Sequence, residues 1–126
     1  MNQHFDASQK EIRTFQDWDP DALSRMVGND PAILRRFLEM FLTRSQEQLN
    51  TILDALEAND TQLVASTAHT LKSTARSVGA ERLGNLCQTL ETAGKTDDLE
   101  TSHTVCKAMI QALNVARQLI AEHLAR

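Results

Sequence analysis

Apolar side chains recur every three or four residues from residue 31 to the end of the chain, and no stretch alternates apolar with polar residues. That interval matches one helical turn, so each stretch is expected to form a helix with one buried stripe. The 126 residues include only two prolines and four glycines, which permits long uninterrupted helices. Because aromatic residues make up only 4%, the core is expected to be aliphatic. The pattern predicts an all-α protein.

Two Asp-Pro pairs mark the first helix starts. In Asp19-Pro20 and Asp30-Pro31, the aspartate can cap free backbone N–H groups and the proline suits the first helical position. The first pair predicts a short helix to about Val27, stopped by Gly28, and the second predicts a long helix. The stripe expected to be buried on the long helix consists of Ile33, Leu34, Phe37, Leu38, Phe41, Leu42, Leu49, Ile52, Leu53 and Leu56.

Three further helices are expected after a break at Asn59-Asp60. Gly79 is expected to close the third helix and Gly94 the fourth, and the last runs from about Asp97 to the end. Four amphipathic helices with short connections predict an antiparallel up-down four-helix bundle, to which the short N-terminal helix is an addition. Residues 1–17 are predicted to be a polar lead-in, and residues 18–126 the bundle domain.

Charge and hydropathy exclude several classes of protein. The net charge is −4, and Arg35-Arg36 is the only basic doublet, which is too little to bind nucleic acid. No apolar run approaches the roughly 18 residues that span a bilayer, and the N-terminus lacks the features of a secretory signal. Cys87 and Cys106 alone make no disulfide framework. We therefore predict a cytoplasmic domain with reduced thiols, and its polar outer faces predict a monomer.

The third helix carries the residue best suited to chemistry, His69. At 100° per residue it lies beside the buried stripe, with Lys72, Ser73 and Arg76 on its own face. An exposed histidine is mostly neutral at cytoplasmic pH and can act as a nucleophile. A unit charge at ~6 Å in water contributes ~0.7 kcal/mol, which offsets part of a phosphoryl charge but does not catalyse alone. On these residues by themselves, an incidental surface histidine is the commoner interpretation.

The surrounding segment carries a resemblance to a known family. His69-Thr70-Leu71-Lys72-Ser73-Thr74-Ala75, followed by Val78-Gly79-Ala80, resembles the H-x-L-K-G-x-A signature of histidine-containing phosphotransfer (HPt) domains. The likeness covers roughly residues 18–124 and extends to Gly28-Asn29-Asp30-Pro31, Phe41-Leu42, Leu83, Leu86-Cys87 and Leu90-Glu91.

The resemblance implies a phosphorelay intermediate in which His69 is the phosphoacceptor and Lys72 the cation that stabilises the phosphoryl group. It also implies that Glu91 orients the histidine, although an ordinary solvated helix residue is an equal alternative. The partners implied are receiver domains of a hybrid kinase or response regulator, which would supply Mg²⁺. The chain itself is expected to have no cofactor and no ATP-binding or kinase site. Ser73 replaces the family's usual glycine; its hydroxyl can bond back to the carbonyl of His69, so we expect an effect on partner range rather than on chemistry.

Two other functions fit parts of the sequence. A four-helix adaptor would use the same bundle for binding, with an incidental histidine. A kinase dimerisation helix pair would autophosphorylate, but that class usually has an acidic residue after its histidine and a nearby proline, whereas Thr70 and Leu71 follow His69. It would also need a nucleotide-binding domain, and the widely spaced glycines exclude a Gly-rich phosphate cradle.

The remaining candidates are weaker. Glu100-x-x-His103 has the spacing of di-iron bundles, which need a second such motif and two more Glu residues. His103-x-x-Cys106 is at most half a zinc site, so we predict no metal. Arg44 and Gln48 lie about as far from the Asn59-Asp60 turn as His69 does, on the adjacent helix. They are candidate docking residues, with plain surface as the alternative.

Overall fold

The computed structural model of the protein describes residues 16–126, and this part of the chain is helical without strands. The five helices are α1 (Ala22–Val27), α2 (Pro31–Glu57), α3 (Thr61–Val78), α4 (Glu81–Lys95) and α5 (Leu99–Leu124). The long helices α2 to α5 pack in chain order, and α2 also contacts α5, which closes the bundle. The prediction of an all-α four-helix bundle with a short additional N-terminal helix is confirmed.

Aspartates begin three of the long helices. The side chain of Asp30 accepts a hydrogen bond from Ala32 N, that of Asp60 from Leu63 N, and that of Asp98 from Thr101 N. Each bond satisfies one of the backbone N–H groups that a helix start leaves free.

The short helix α1 begins later than the sequence predicts. Pro20 lies before the helix, and Asp21 occupies the N-cap position. The carboxylate of Asp19 accepts from Asp21 N at 3.0 Å and from the Arg25 guanidinium at 2.7 Å. Asp19-Pro20 therefore forms the turn before the helix rather than its first residues.

Gly94 lies inside α4, which continues to Lys95 and has Thr96 as its C-cap, so the predicted helix stop is wrong by two residues. The left-handed backbone of the following turn is at Asp97, with φ of 55°. A Cβ added at Gly94 would come within 2.9 Å of the Thr61 carbonyl oxygen. This glycine therefore lets α4 approach the start of α3 closely.

The segment before α1 is held against the end of α3. Trp18 is buried, and its Nε1 donates to the Val78 carbonyl at 2.9 Å. Asp19 N donates to the Gly79 carbonyl at 2.9 Å. Most of the predicted lead-in, residues 1–15, lies outside the described residues.

The predicted buried stripe of α2 is wrong at three positions. Ile33, Phe37 and Leu53 are exposed, whereas Leu38, Phe41 and Ile52 are buried as predicted. The N-terminal half of α2 is covered only in part, because α1 is just six residues long. Leu53 follows the fully buried Ile52 by one residue, which turns it about 100° away from the core.

Both cysteines are buried as free thiols. Burial raises the pKa of the Cys87 thiol to about 12 and also raises that of Cys106. Both therefore act as small apolar core residues. Within residues 16–126, no helix combines the length and apolar character needed to cross a membrane.

Candidate functional site

The imidazole of His69 stands clear of the packed core. Its neighbours Ala68 and Leu71 are fully buried, whereas 60% of the His69 side chain is exposed. The ring borders an open groove between α3 and α4 that is also lined by Gln62, Ser66, Thr70, Gly94, Lys95 and Asp97. A partner molecule can therefore reach the ring.

Glu91 contacts the histidine from the neighbouring helix α4. Its side chain is buried, and its Oε2 lies 3.1 Å from His69 Nδ1. An ionised carboxylate only accepts hydrogen bonds, so Nδ1 must carry the proton in this contact. In the neutral ring the lone pair is then on Nε2. Glu91 thus both fixes the ring and selects the nitrogen that can act as a nucleophile.

Two lysines complete the surroundings of this carboxylate. Lys72 Nζ donates to Glu91 Oε1 at 2.7 Å, and Lys95 Nζ donates to Oε2 at 3.0 Å. The hydrogen bond from Lys72 is the main cause that lowers the pKa of Glu91 from 4.5 to about 2. Hydrogen bonds from Lys95 and His69 lower it further, against the opposing effect of burial. Glu91 is therefore charged throughout the physiological range.

This low pKa makes Glu91 a source of acid-sensitive stability. A folded-state pKa below the unfolded value contributes stability that is present above about pH 4.5 and lost as pH falls toward 2. We expect Glu91→Gln to lower the free energy of unfolding at pH 7 by about 1 to 3 kcal/mol, allowing for solvent screening. The difference from wild type should shrink between pH 4.5 and pH 2. Urea unfolding across this range measures it; a difference that stays constant with pH would contradict the role of the carboxylate charge.

Lys72 is held in one position by α4. Only 14% of its side chain is exposed, and Nζ also donates to Gln88 Oε1 at 2.9 Å. An ammonium group has three N–H donors, so these two bonds leave one for an incoming anion. Lys72 is thus a preorganised cation next to His69.

The other predicted neighbours on α3 are arranged differently. Ser73 Oγ donates to the His69 carbonyl at 3.3 Å, the bond expected from helix geometry. The Arg76 guanidinium donates to Asn85 Oδ1 at 3.3 Å, and its aliphatic part lies against Gly84. Arg76 therefore extends toward the N-terminal half of α4, away from the ring.

The two candidates on α2 are not brought to the ring. Arg44 is exposed and lines a separate groove with Ser73 and Thr74. Gln48 is half-buried, and its Oε1 has no hydrogen-bond partner within residues 16–126.

The candidate metal ligands do not form a site. Glu100 and His103 are exposed, while Cys106 is buried. In the part of the chain that the structure describes, no three His, Cys, Asp or Glu residues group closely enough to hold a metal ion.

Sequence reasoning missed two α4 residues near His69: Gln88, which accepts from Lys72, and Lys95, which donates to Glu91. Both share a helix face with Glu91, since Gln88 lies three residues before it and Lys95 four residues after it. That spacing is the signal that could have found them once Glu91 was identified.

Comparisons with known proteins identify the family and the fold. The family model described as "Hpt domain" matches residues 36–117. The solved structure of histidine-containing phosphotransfer protein B (HptB) from Pseudomonas aeruginosa PAO1 is similar with a TM-score of 0.82 and 24% identity, over 87% of this chain and 96% of that one. The HPT domain of an Hpt sensor hybrid histidine kinase from Shewanella is similar with a TM-score of 0.78 and 21% identity, over 88% and 96%. At these identities the two structures establish the fold alone. Among curated proteins, none matches the chain.

Proposed function

Because this chain belongs to the Hpt domain family of phosphocarrier modules in two-component signalling, we propose that His69 accepts a phosphoryl group from a receiver-domain aspartate and passes it to another receiver domain. The observation that carries the proposal is the exposed imidazole whose Nδ1 is engaged by Glu91. Such a ring presents Nε2 to a partner in a fixed orientation. Holding the reacting atoms in position supplies much of the catalysis in phosphoryl transfer.

In the proposed step, the lone pair of His69 Nε2 attacks the phosphorus of an aspartyl phosphate. The N–P bond forms as the P–O bond to the aspartate breaks, and the carboxylate leaves with the bonding electrons. The ring becomes positively charged while the Nδ1 proton stays hydrogen-bonded to Glu91. The carboxylate thus stabilises the charge that develops on the imidazole. Transfer to the next receiver is the reverse of this step.

Lys72 is the residue of this chain that we propose to stabilise the transferred phosphoryl group. Its free N–H is available while Glu91 and Gln88 hold its other two donors. One fixed cation offsets only part of the phosphoryl charge. The remaining positive charge is expected from the receiver, including its Mg²⁺. In this proposal the chain is a phosphocarrier and has no kinase site of its own.

We further propose that the receiver docks on an apolar groove formed by α1, α2 and α3. Its exposed apolar side chains, here named the α1–α2 patch, are Met26, Val27, Phe37 and Met40. Ser73 and Thr74, which follow His69 within five residues, line the same groove. Arg44 at its rim is complementary in charge to the acidic face around a receiver aspartate. A small apolar patch with a polar rim suits a transient interface.

This docking surface predicts the effect of a single substitution. Met40→Ser should weaken receiver binding about tenfold or more, because central apolar contacts carry most of the binding energy of an interface. Val115→Ser on α5 is the matched control, since Val115 is 40% exposed and Met40 is 41% exposed. Titration of each variant with a receiver domain measures the change. Equal receiver affinities of the two variants would contradict docking on the α1–α2 patch.

Labelling by receiver domains tests the function itself. The pure protein should become labelled when mixed with a phosphorylated receiver and should stay unlabelled with ATP alone. Label should then pass to a second, unphosphorylated receiver. A panel of receivers that bind the protein but never label it would favour the adaptor function instead. Labelling by ATP alone would contradict the absence of kinase activity.

A further inference from the structure

Lys95 and His69 share one oxygen atom of Glu91. Oε2 accepts from His69 Nδ1 at 3.1 Å and from Lys95 Nζ at 3.0 Å. Lys95 is otherwise exposed, with 66% of its side chain accessible to solvent. The phosphotransfer step described above uses Glu91 and Lys72 but assigns no part to Lys95.

A carboxylate next to an imidazole has a cost for a nucleophilic histidine. The negative charge favours the doubly protonated imidazolium, whose Nε2 has no lone pair. Such a ring can neither attack an aspartyl phosphate nor carry the phosphoryl group. A buried glutamate can orient His69 without this penalty only if nearby positive charge opposes the second proton.

We propose that Lys95 is a positioning residue that offsets the charge of Glu91 and so keeps His69 Nε2 unprotonated and nucleophilic. The inference rests on the proposed function. Glu91 and the side chains that bond to it, His69, Lys72 and Lys95, are here named the Glu91 cluster. Its two lysines supply two positive charges against the one negative charge of Glu91. Without Lys95 the carboxylate would be balanced by Lys72 alone. The strongly lowered pKa of Glu91 is in keeping with a carboxylate held by two ammonium groups.

The other charged groups around His69 are engaged elsewhere. Asp97, in the turn after α4, lines the same groove, and its carboxylate accepts from the Thr61 hydroxyl. Arg76 on α3 is bonded to Asn85. Arg44 on α2 lines the separate groove with Ser73 and Thr74. Glu91 therefore contacts the ring directly, Lys95 bonds to the same Glu91 oxygen as the ring does, and Lys72 bonds to the other oxygen.

The test is the pH dependence of phosphotransfer from one labelled receiver. In Lys95→Met, the acidic limb of the pH–rate profile should move to higher pH by about half a unit, because a unit charge at ~6 Å is removed. At a fixed pH on that limb, the rate should fall about threefold. The alkaline plateau should not fall, because the ring is already neutral there and the loss of Lys95 takes away none of the stabilisation by Glu91. Lys95→Arg should restore the wild-type profile, and Lys107→Met, at an exposed α5 lysine, should leave it unaltered.

The same Lys95→Met substitution in a Glu91→Gln protein distinguishes an effect of Lys95 through Glu91 from a direct contact between Lys95 and the phosphoryl group. Among residues 16–126, Glu91 is the one side chain to which Lys95 is bonded, so Glu91→Gln removes the charge that holds this exposed side chain near the ring. We therefore expect Lys95→Met to have little effect in a Glu91→Gln protein. If Lys95 instead bound the phosphoryl group, its loss would slow transfer at every pH in both backgrounds, and the inference would be wrong.

The outcomes also separate the inference from the proposed function. A wild-type protein that no receiver labels at any pH would contradict the phosphocarrier function. A wild-type protein that is labelled, with an identical pH profile in Lys95→Met, would contradict the role of Lys95 and leave the carrier function intact. NMR titration of the His69 ring provides a readout without any receiver, and its midpoint should move to higher pH in Lys95→Met.

Discussion

Replacing His69 with glutamine is expected to abolish labelling by a phosphorylated receiver while leaving the fold intact. Glutamine keeps a polar side chain that can donate to Glu91, but its amide nitrogen has no lone pair available for attack on phosphorus. Because 60% of the His69 side chain is exposed, the free energy of unfolding should change by less than about 1 kcal/mol. Transfer of labelled phosphate and a thermal melt of the same preparation measure both quantities.

The matched control is His103→Gln, the same substitution at an exposed histidine on α5. It should be labelled as wild type is, because His103 lies outside the Glu91 cluster. Label that persists in His69→Gln would end the assignment of the phosphoacceptor. If His69→Gln failed to fold, its loss of label would say nothing about chemistry. Lys72→Met, which retains His69, is therefore a second test, and its phosphotransfer should be slowed but still present.

Replacing Gly79 with alanine is expected to cause a large loss of stability. Gly79 has φ of 95°, a left-handed conformation that costs an L-residue about 1 to 2 kcal/mol. A Cβ at this position would lie 2.3 Å from the Asp19 carbonyl oxygen and 2.8 Å from Ala22 Cβ. The clash also disturbs the hydrogen bond from Asp19 N to Gly79 O. We expect a total loss of about 2 to 4 kcal/mol and a Tm lower by roughly 10 °C.

Gly79→Asn separates the two contributions. Asparagine adopts the left-handed conformation more readily than alanine, but it brings the same Cβ. If the clash dominates, both variants lose similar stability, as we expect. A clear recovery with asparagine would assign the loss to backbone conformation, and a Gly79→Ala variant as stable as wild type would contradict the packing of Asp19 on this turn. Urea unfolding at neutral pH provides the comparison.

Much of the fold was accessible from sequence because its determinants are local. The three-to-four spacing of apolar residues specifies helices wherever they pack, and Asp30, Asp60 and Asp98 cap helices through bonds within three residues. The position of His69 beside the buried stripe follows from the same periodicity. The errors at Ile33 and Phe37 have a tertiary origin, since periodicity marks a face as apolar but does not state whether another helix covers it.

The chemistry of the site was accessible only in part. The motif around His69 and Lys72 lies on one helix, so its geometry could be derived from helical spacing. The role of Glu91 could not be decided from sequence, because it depends on whether the packing of α4 points this side chain toward α3 or toward solvent. Helical spacing placed Arg76 on the same face as His69 but did not give the direction of its side chain, which is long enough to bond Asn85 on α4.

The sequence by itself therefore determined the helices, the caps at Asp30 and Asp60 and the helix face on which His69 lies, because each depends on residues within about one turn of one another. Tertiary structure decided which nitrogen of His69 is free, that Lys72 reaches Glu91 and which apolar residues stay exposed. These depend on how α1, α2 and α4 pack around α3. Long side chains on different helices, such as Lys72 on α3 and Glu91 on α4, acquire defined partners only when that packing brings their ends together.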